Sequence, residues 1–98
     1  MSTQATVSAS STAWTAASSA GDTPVLLQNM APGHERSGRM LYWRVGTSLP
    51  AASVTNGFLL APGDYVPITN LGGSDIVYVR AAPVGNNELT IAAEVLKG

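Results

Sequence analysis

The segment Met40-Leu-Tyr-Trp-Arg-Val-Gly46 is the densest run of strand-forming side chains in the sequence. Successive side chains of a strand leave opposite faces of a sheet. Trp43 and its hydrophobic neighbours two residues away are therefore expected on one face, with Tyr42 and Arg44 on the other. A later segment, Ile76-Val-Tyr-Val-Arg-Ala-Ala82, has the same Tyr-x-Arg spacing. We predict that both segments are central strands of one small β-sandwich, each with an aromatic residue and an arginine on its more hydrated face.

Short extended segments separated by turns follow one another along the whole chain. Asn56-Gly57 and Pro62-Gly63 are strong turn signals, because Gly and Asn tolerate positive φ and Pro presets φ for a turn. Five further strands are predicted, at residues 13–18, 23–29, 58–61, 64–69 and 89–96. No long stretch has a 3.6-residue hydrophobic period, so helix content should be very low. The pattern predicts an all-β fold: a single antiparallel β-sandwich, jelly-roll-like, of about seven short strands.

The composition is that of one folded domain with an unusually small number of charges. The chain has 98 residues, 45 % of them hydrophobic, but only 11 % are charged, against roughly 25 % in an ordinary soluble domain. Surface charge discourages association. Two interpretations remain open: a neutral surface rich in Ser, Thr and Asn, or a surface that other subunits largely cover. We favour the second interpretation.

Charge, cysteine content and hydropathy argue against several classes of function. The net charge is −1 and the basic residues are scattered singly, so no nucleic-acid-binding surface is predicted. Without cysteine, a disulfide framework and a thiolate nucleophile are both excluded. No apolar run approaches the roughly 20 residues of a membrane span, and the N-terminal residues lack the pattern of a signal peptide. We expect a soluble protein, made in a cytoplasm, that binds no membrane.

Residues 2–20 form a biased segment of Ser, Thr and Ala without a charged residue. A free chain of this composition has too little apolar surface to offset its ordering entropy. We therefore assign residues 1–20 to an N-terminal arm, which suits an extended segment lying on a partner, and residues 21–98 to the β-sandwich domain. Trp14 is the expected anchor of the arm. The alternative is that Trp14 closes the edge of the sandwich as part of a first strand.

No group of residues has the pattern of a catalytic or metal centre. His34 and Glu35 are neighbours in a polar loop, and adjacent side chains usually point apart, whereas catalysis needs oriented groups that face a pocket. Asp22, Asp64 and Asp75 lie in turns, where Asp commonly bonds its own backbone, although three such loops would also suit calcium. We expect no enzyme activity, no cofactor and no metal site.

The aromatic and arginine residues are the best candidates for a binding surface. Tyr42 and Arg44 share one face of their predicted strand, as Tyr78 and Arg80 do on theirs, and neighbouring strands would bring all four together. Protein interfaces are enriched in aromatic residues and arginine. We predict a protein interface formed by these four residues and Trp14. Two alternatives stay open: a glycan-binding platform and an ordinary half-exposed sheet face.

Several segments together resemble small β-sandwich virion proteins of tailed bacteriophages. The resemblance covers about residues 13–95. It consists of a Trp-led strand and four further segments: Pro24-Val-Leu-Leu-Gln-Asn29, Leu41–Gly46 with the following Pro50, the turn Ala61-Pro-Gly-Asp64, and Gly73-Ser-Asp-Ile-Val-Tyr-Val-Arg-Ala81. Residues 2–20 lie mostly outside it. Proteins of this kind include capsid decoration or cement proteins, head-fibre bases, and tail or fibre modules.

The resemblance implies a structural role in a virion and no catalytic residues. The expected function is capsid decoration, with the subunit stabilising the shell through contacts with the major capsid protein or other virion proteins. A homo-oligomer is implied, and a trimer is expected from the class of protein. The alternative is a tail or fibre module that binds a receptor or glycan.

Overall fold

A computed structural model describes residues 3–31, 39–82 and 90–97 of the chain. Over these residues the chain forms strands and connections and no helix. The eight strands are β1 (Thr3–Ser10), β2 (Thr15–Ala16), β3 (Val25–Asn29), β4 (Leu41–Gly46), β5 (Phe58–Leu60), β6 (Tyr65–Ile68), β7 (Ile76–Ala81) and β8 (Thr90–Lys97). The loop that contains His34 and Glu35 lies outside the described residues.

The strands form two antiparallel sheets of four strands each. Sheet I has the order β1-β8-β3-β6, and sheet II has the order β2-β7-β4-β5. All neighbouring strands are antiparallel. The predicted all-β fold is confirmed, and the two sheets are compatible with a small β-sandwich. The two segments with the Tyr-x-Arg spacing are the adjacent strands β4 and β7, each with a neighbour on both sides.

The N-terminal segment contributes one strand to each sheet. β1 pairs with β8 along its whole length, from Thr3 opposite Lys97 to Ser10 opposite Thr90, and β2 pairs with β7. Ala9 is fully buried in the core. Residues 3–10 and 15–16 of the expected arm thus pair with strands of the sandwich, and Trp14 is buried in the connection between β1 and β2. β1 is the strand that the sequence did not predict, because it has no alternating large hydrophobic residues.

The core lies between the two sheets and is built from alternate residues of the strands. Its buried members include Val25 and Leu27 of β3, Leu41 of β4, Val77 and Val79 of β7, and Ile91, Ala93 and Val95 of β8. In β8 the buried residues 91, 93 and 95 alternate with outward-facing ones, as strand geometry requires. These are mostly β-branched or small side chains, which pack well on a pleated surface.

Along β4, the side chains on the core face become more exposed from the start of the strand to its end, so the core is open to solvent at the end near Val45. Leu41 is fully buried, Trp43 is half-buried against the core, and Val45 is exposed. The Trp43 ring lies 4.8 Å from the ring of Phe58, tilted by 33°, although Phe58 is itself 67 % exposed. The predicted core face of β4 therefore becomes a partly exposed hydrophobic surface where β4 and β5 pair.

Asn29, at the end of β3, is the fully buried polar residue that joins three parts of the backbone. Its Nδ2 group donates to the carbonyl oxygens of Arg39 (2.9 Å) and Leu60 (2.8 Å). Its Oδ1 atom accepts from the N–H of Ala31 at 2.9 Å. Asn29 therefore pairs three backbone groups that burial would otherwise leave without a partner.

Replacing Asn29 by Leu should lower the free energy of unfolding by about 2–4 kcal/mol, because three backbone groups lose their partner while the branched shape of the side chain is kept. The matched control is Gln28→Leu on the neighbouring, outward-facing residue, whose amide donates one bond, to the Gly63 carbonyl oxygen at 3.1 Å. That change should cost under about 1 kcal/mol. Urea denaturation of both variants measures the difference, and equal losses would contradict this role of Asn29.

Candidate functional site

The structure brings together the four residues predicted on β4 and β7. In the antiparallel register Tyr42 lies opposite Arg80, and Arg44 lies opposite Tyr78. All four therefore share the outer face of sheet II, the face directed away from the core. The two Tyr-x-Arg strands are neighbours, which is the condition under which alternation brings these four residues together.

The same face is not the exposed patch that the sequence suggested. Tyr78 is 3 % exposed, Arg80 is 7 % exposed and Trp14 is 4 % exposed, whereas Tyr42 and Arg44 are half-buried. The expectation of exposure is corrected because two connections of the chain lie over sheet II. One is residues 11–14, between β1 and β2, and the other is residues 47–57, between β4 and β5.

The Arg80 guanidinium group binds both of these connections through backbone carbonyl oxygens. Nε and Nη2 donate to the Ser11 carbonyl oxygen, at 3.3 and 3.0 Å. Nη1 donates to the carbonyl oxygens of Ala52 (2.7 Å) and Val54 (3.0 Å). Among the described residues no carboxylate lies within ion-pair distance of Arg80. Arg80 is thus a buried cation held by carbonyl dipoles.

Trp14 and Arg44 also bind the connection of residues 47–57 and contact each other. Trp14 Nε1 donates to the Val54 carbonyl oxygen at 2.7 Å, so that oxygen accepts from both Trp14 and Arg80. The Arg44 guanidinium carbon lies 5.9 Å from the centre of the Trp14 ring, and Arg44 Nη1 donates to the Asn56 backbone and side-chain oxygens. We call Trp14, Arg44, Arg80 and Val54 the arginine cluster. Its contacts are within the chain, and an interface role for Trp14, Tyr78 and Arg80 stays a prediction.

Gly57 lies where the second connection meets the cluster. A Cβ atom at this position would lie 2.7 Å from the Trp43 carbonyl oxygen and 3.3 Å from the Trp14 ring. The residue has no positive φ, so glycine is needed here for close approach. The turn predicted at Asn56-Gly57 is wrong: the turn of this connection lies at residues 52–53, closed by the bond from the Val54 N–H to the Ala51 carbonyl oxygen, and residues 56 and 57 run extended into β5 without positive φ.

A shallow hollow lies beside the arginine cluster, at the open end of the core. It is lined by Arg44, Val45, Asn56, Gly57 and Phe58, and we call it the Phe58 hollow. Phe58 is the most exposed large hydrophobic residue of the described chain. An exposed aromatic ring beside an arginine is the composition typical of protein interfaces. Arg44 is the predicted interface residue that lies at this accessible surface.

A second concave surface lies on the outer face of sheet I. This Tyr65 groove has a volume of about 380 Å³ and is lined by Gln4, Leu26, Gln28, Tyr65, Glu94 and Leu96. Tyr65 is 66 % exposed. Sequence reasoning did not find this groove, because it crosses four strands that are distant in sequence.

Glu94 is held in its ionised form at the side of this groove. Its carboxylate accepts from Thr6 Oγ1 and from Gln4 Nε2, both at 2.6 Å. These two hydrogen bonds, first that from Thr6 and then that from Gln4, lower the pKa of Glu94 below its ordinary value of 4.5 because they favour the charged form. The groove therefore offers a fixed carboxylate beside neutral amides and hydrophobic side chains.

Two acidic turn residues bond backbone N–H groups of their own loops, and Asp22 Oδ2 also lies 3.9 Å from Lys97 Nζ. Asp22 accepts from the N–H of Ser19, and Asp75 accepts from the N–H of Gly72, both at 2.8 Å. In the part of the chain that the structure describes, no group of three His, Cys, Asp or Glu residues is placed to hold a metal ion. The same residues include no helix of the length and hydropathy that a membrane span requires.

Comparisons of the chain with protein-family models, with curated proteins and with solved structures find no match.

Replacing Arg80 by Met should lower the free energy of unfolding by about 2–3 kcal/mol, because the carbonyl oxygens of Ser11 and Ala52 lose their donor in a buried setting. The control is Arg44→Met, a change from the same residue to the same residue on the neighbouring strand. Arg44 is half-buried, and its loss should cost less than about 1 kcal/mol. Urea denaturation measures the free energy of unfolding of both variants. An Arg80→Met variant as stable as Arg44→Met would contradict the role of Arg80 in holding the two connections.

Proposed function

We propose that the chain is a non-enzymatic structural protein of a phage virion, a capsid decoration or cement subunit that stabilises the shell through protein–protein contacts. The observation that carries the proposal is the Phe58 hollow: an exposed aromatic ring and an arginine on a protein with few charges. Such a surface is disfavoured on a free monomer and favoured at an interface. The proposed partner is the major capsid protein or another virion protein.

The order of strand pairing supports a jelly roll, an architecture used by viral capsid proteins and by lectins. β1 pairs with β8, β2 with β7, β3 with β6 and β4 with β5. This is the pairing of one long hairpin folded over into two sheets. We propose this topology for the chain. The resemblance of its strand segments to phage sandwich proteins points in the same direction.

The proposed mechanism is thermodynamic. A protein that binds the assembled shell but not its dissociated subunits stabilises the shell by mass action, by an amount that grows with its concentration relative to the dissociation constant. No step needs a catalytic group or a cofactor. Several copies acting together, as the proposed homo-oligomer, would strengthen attachment by raising the effective concentration of each binding surface.

Replacing Phe58 by Ala should weaken binding to purified shells that lack the subunit by at least 10-fold, because the ring is the largest exposed group in the hollow and a hot-spot side chain contributes about 2 kcal/mol or more. Cosedimentation with shells measures the dissociation constant. The matched control is Tyr65→Ala, which removes an equally exposed ring from the outer face of sheet I. Undiminished binding by Phe58→Ala would overturn the assignment of the hollow, and no binding by the unaltered protein would overturn the decoration role.

The second candidate function is a tail or fibre module that binds a glycan, and the Tyr65 groove favours it. The groove joins a flat exposed ring to amide and carboxylate groups whose positions are fixed by hydrogen bonds. Sugars present both hydroxyl groups and apolar C–H faces, and binding sites of this kind combine an apolar lining with a few placed polar groups.

The Tyr65→Ala and Phe58→Ala variants also test the glycan-binding function, with their expected effects exchanged. Titration of the protein with a panel of neutral and amino-sugar oligosaccharides, followed by tryptophan fluorescence and calorimetry, should show binding that Tyr65→Ala weakens at least 10-fold and Phe58→Ala leaves unchanged. Absence of binding at millimolar sugar, or equal loss in both variants, would contradict a glycan site in the groove.

A further inference from the structure

The outer edge of β1 is a long strand edge that no described residue covers. β1 is the first strand of sheet I and pairs only with β8 among the described strands. In an antiparallel sheet, alternate residues of an edge strand direct their N–H and C=O groups away from the sheet. Over the eight residues Thr3–Ser10, this leaves a row of donors and acceptors ready to pair with another strand.

The other three edges of the two sheets are short or interrupted. β6 has four residues and contains Pro67, which lacks an N–H group; β5 has three residues and β2 has two. Short edge strands and proline are the features by which proteins prevent edge-to-edge pairing. β1 has neither feature, and its register with β8 runs one residue to one residue from end to end without a bulge.

The composition of β1 also lacks the charges that usually protect an edge. Its sequence, Thr-Gln-Ala-Thr-Val-Ser-Ala-Ser, contains no charged residue, no proline and no glycine. The outward-facing residues Thr6 and Ser8 are small and polar, and both are exposed. Two identical strands of this kind meet no like-charge repulsion, and opposed Thr and Ser side chains stabilise a pair of strands.

We propose that β1 is a self-pairing edge: two copies of the chain join through antiparallel β1–β1 pairing, which continues sheet I across the dimer as eight strands. A two-fold axis perpendicular to the sheet keeps the outer faces of both copies on one side. Outward residues must then oppose outward residues. The axis therefore passes through the pair formed by Thr6 and its symmetry mate, or through the corresponding pair of Val7. This inference does not depend on the decoration role, because the edge is a property of sheet I alone.

The test is a pair of double variants that add the same charge to the same sheet face. In Thr6→Lys/Ser8→Lys, lysines oppose lysines across the β1–β1 junction in either register, which is destabilising. In the control, Thr90→Lys/Ala92→Lys, the charges lie on β8, one strand in from the edge, where Ser10 opposes Thr90 and Ser8 opposes Ala92. All four replaced residues are exposed.

Analytical ultracentrifugation from about 1 to 100 µM measures the oligomeric state, with circular dichroism to verify that each variant is folded. We expect a dimer for the unaltered chain and the β8 variant, and at least a 10-fold weaker dimer for the β1 variant. An unaltered chain that is monomeric throughout, or an oligomer that the β1 lysines do not weaken, would overturn the proposal. Hydrogen exchange of the unaltered chain gives an independent measurement: alternate β1 amides should become protected as concentration rises, and unchanged exchange in a dimer would also overturn it.

Discussion

The interaction on which the arrangement of sheet II depends is the set of hydrogen bonds from the Arg80 guanidinium group to backbone carbonyl oxygens. Burying a cation is unfavourable unless its donors are satisfied, and here four hydrogen bonds reach three carbonyl oxygens. Arginine suits this position better than lysine because its planar donors point in several fixed directions at once. The Arg80 guanidinium group thus holds the surrounding backbone segments in position.

The Arg80 hydrogen bonds connect the N-terminal residues to the β4–β5 connection. Ser11 follows β1 of sheet I and precedes β2 of sheet II, so the bond to its carbonyl oxygen fixes the point where the chain passes between sheets. Ala52 and Val54 belong to the connection that borders the Phe58 hollow. A buried arginine therefore positions the segments that shape the proposed interface, although it does not line the hollow.

The sequence predicted the all-β class and most of the strands, because strands and turns have local signals. Alternation also placed Tyr42 with Arg44, and Tyr78 with Arg80, on one face of each strand, whereas the pairing of β4 with β7 and its register come from the structure. The burial of Tyr78 and Arg80 was not predictable from alternation, because it depends on residues 47–57 returning over the outer face. β1 was missed for a related reason: its core contacts use Val7 and Ala9, and a strand with one larger hydrophobic residue resembles a disordered polar segment.

Accessible features of the molecule lie apart from one another, and this separation supports a structural role. The Phe58 hollow lies on the β4–β5 end of sheet II, the Tyr65 groove lies on the outer face of sheet I, and the edge of β1 lies along one side of the same sheet. The proposed structural role requires separate surfaces for different neighbours, and these features would supply them. Pairing through β1 leaves the hollow of each copy free, so self-association and binding to a larger partner are geometrically compatible.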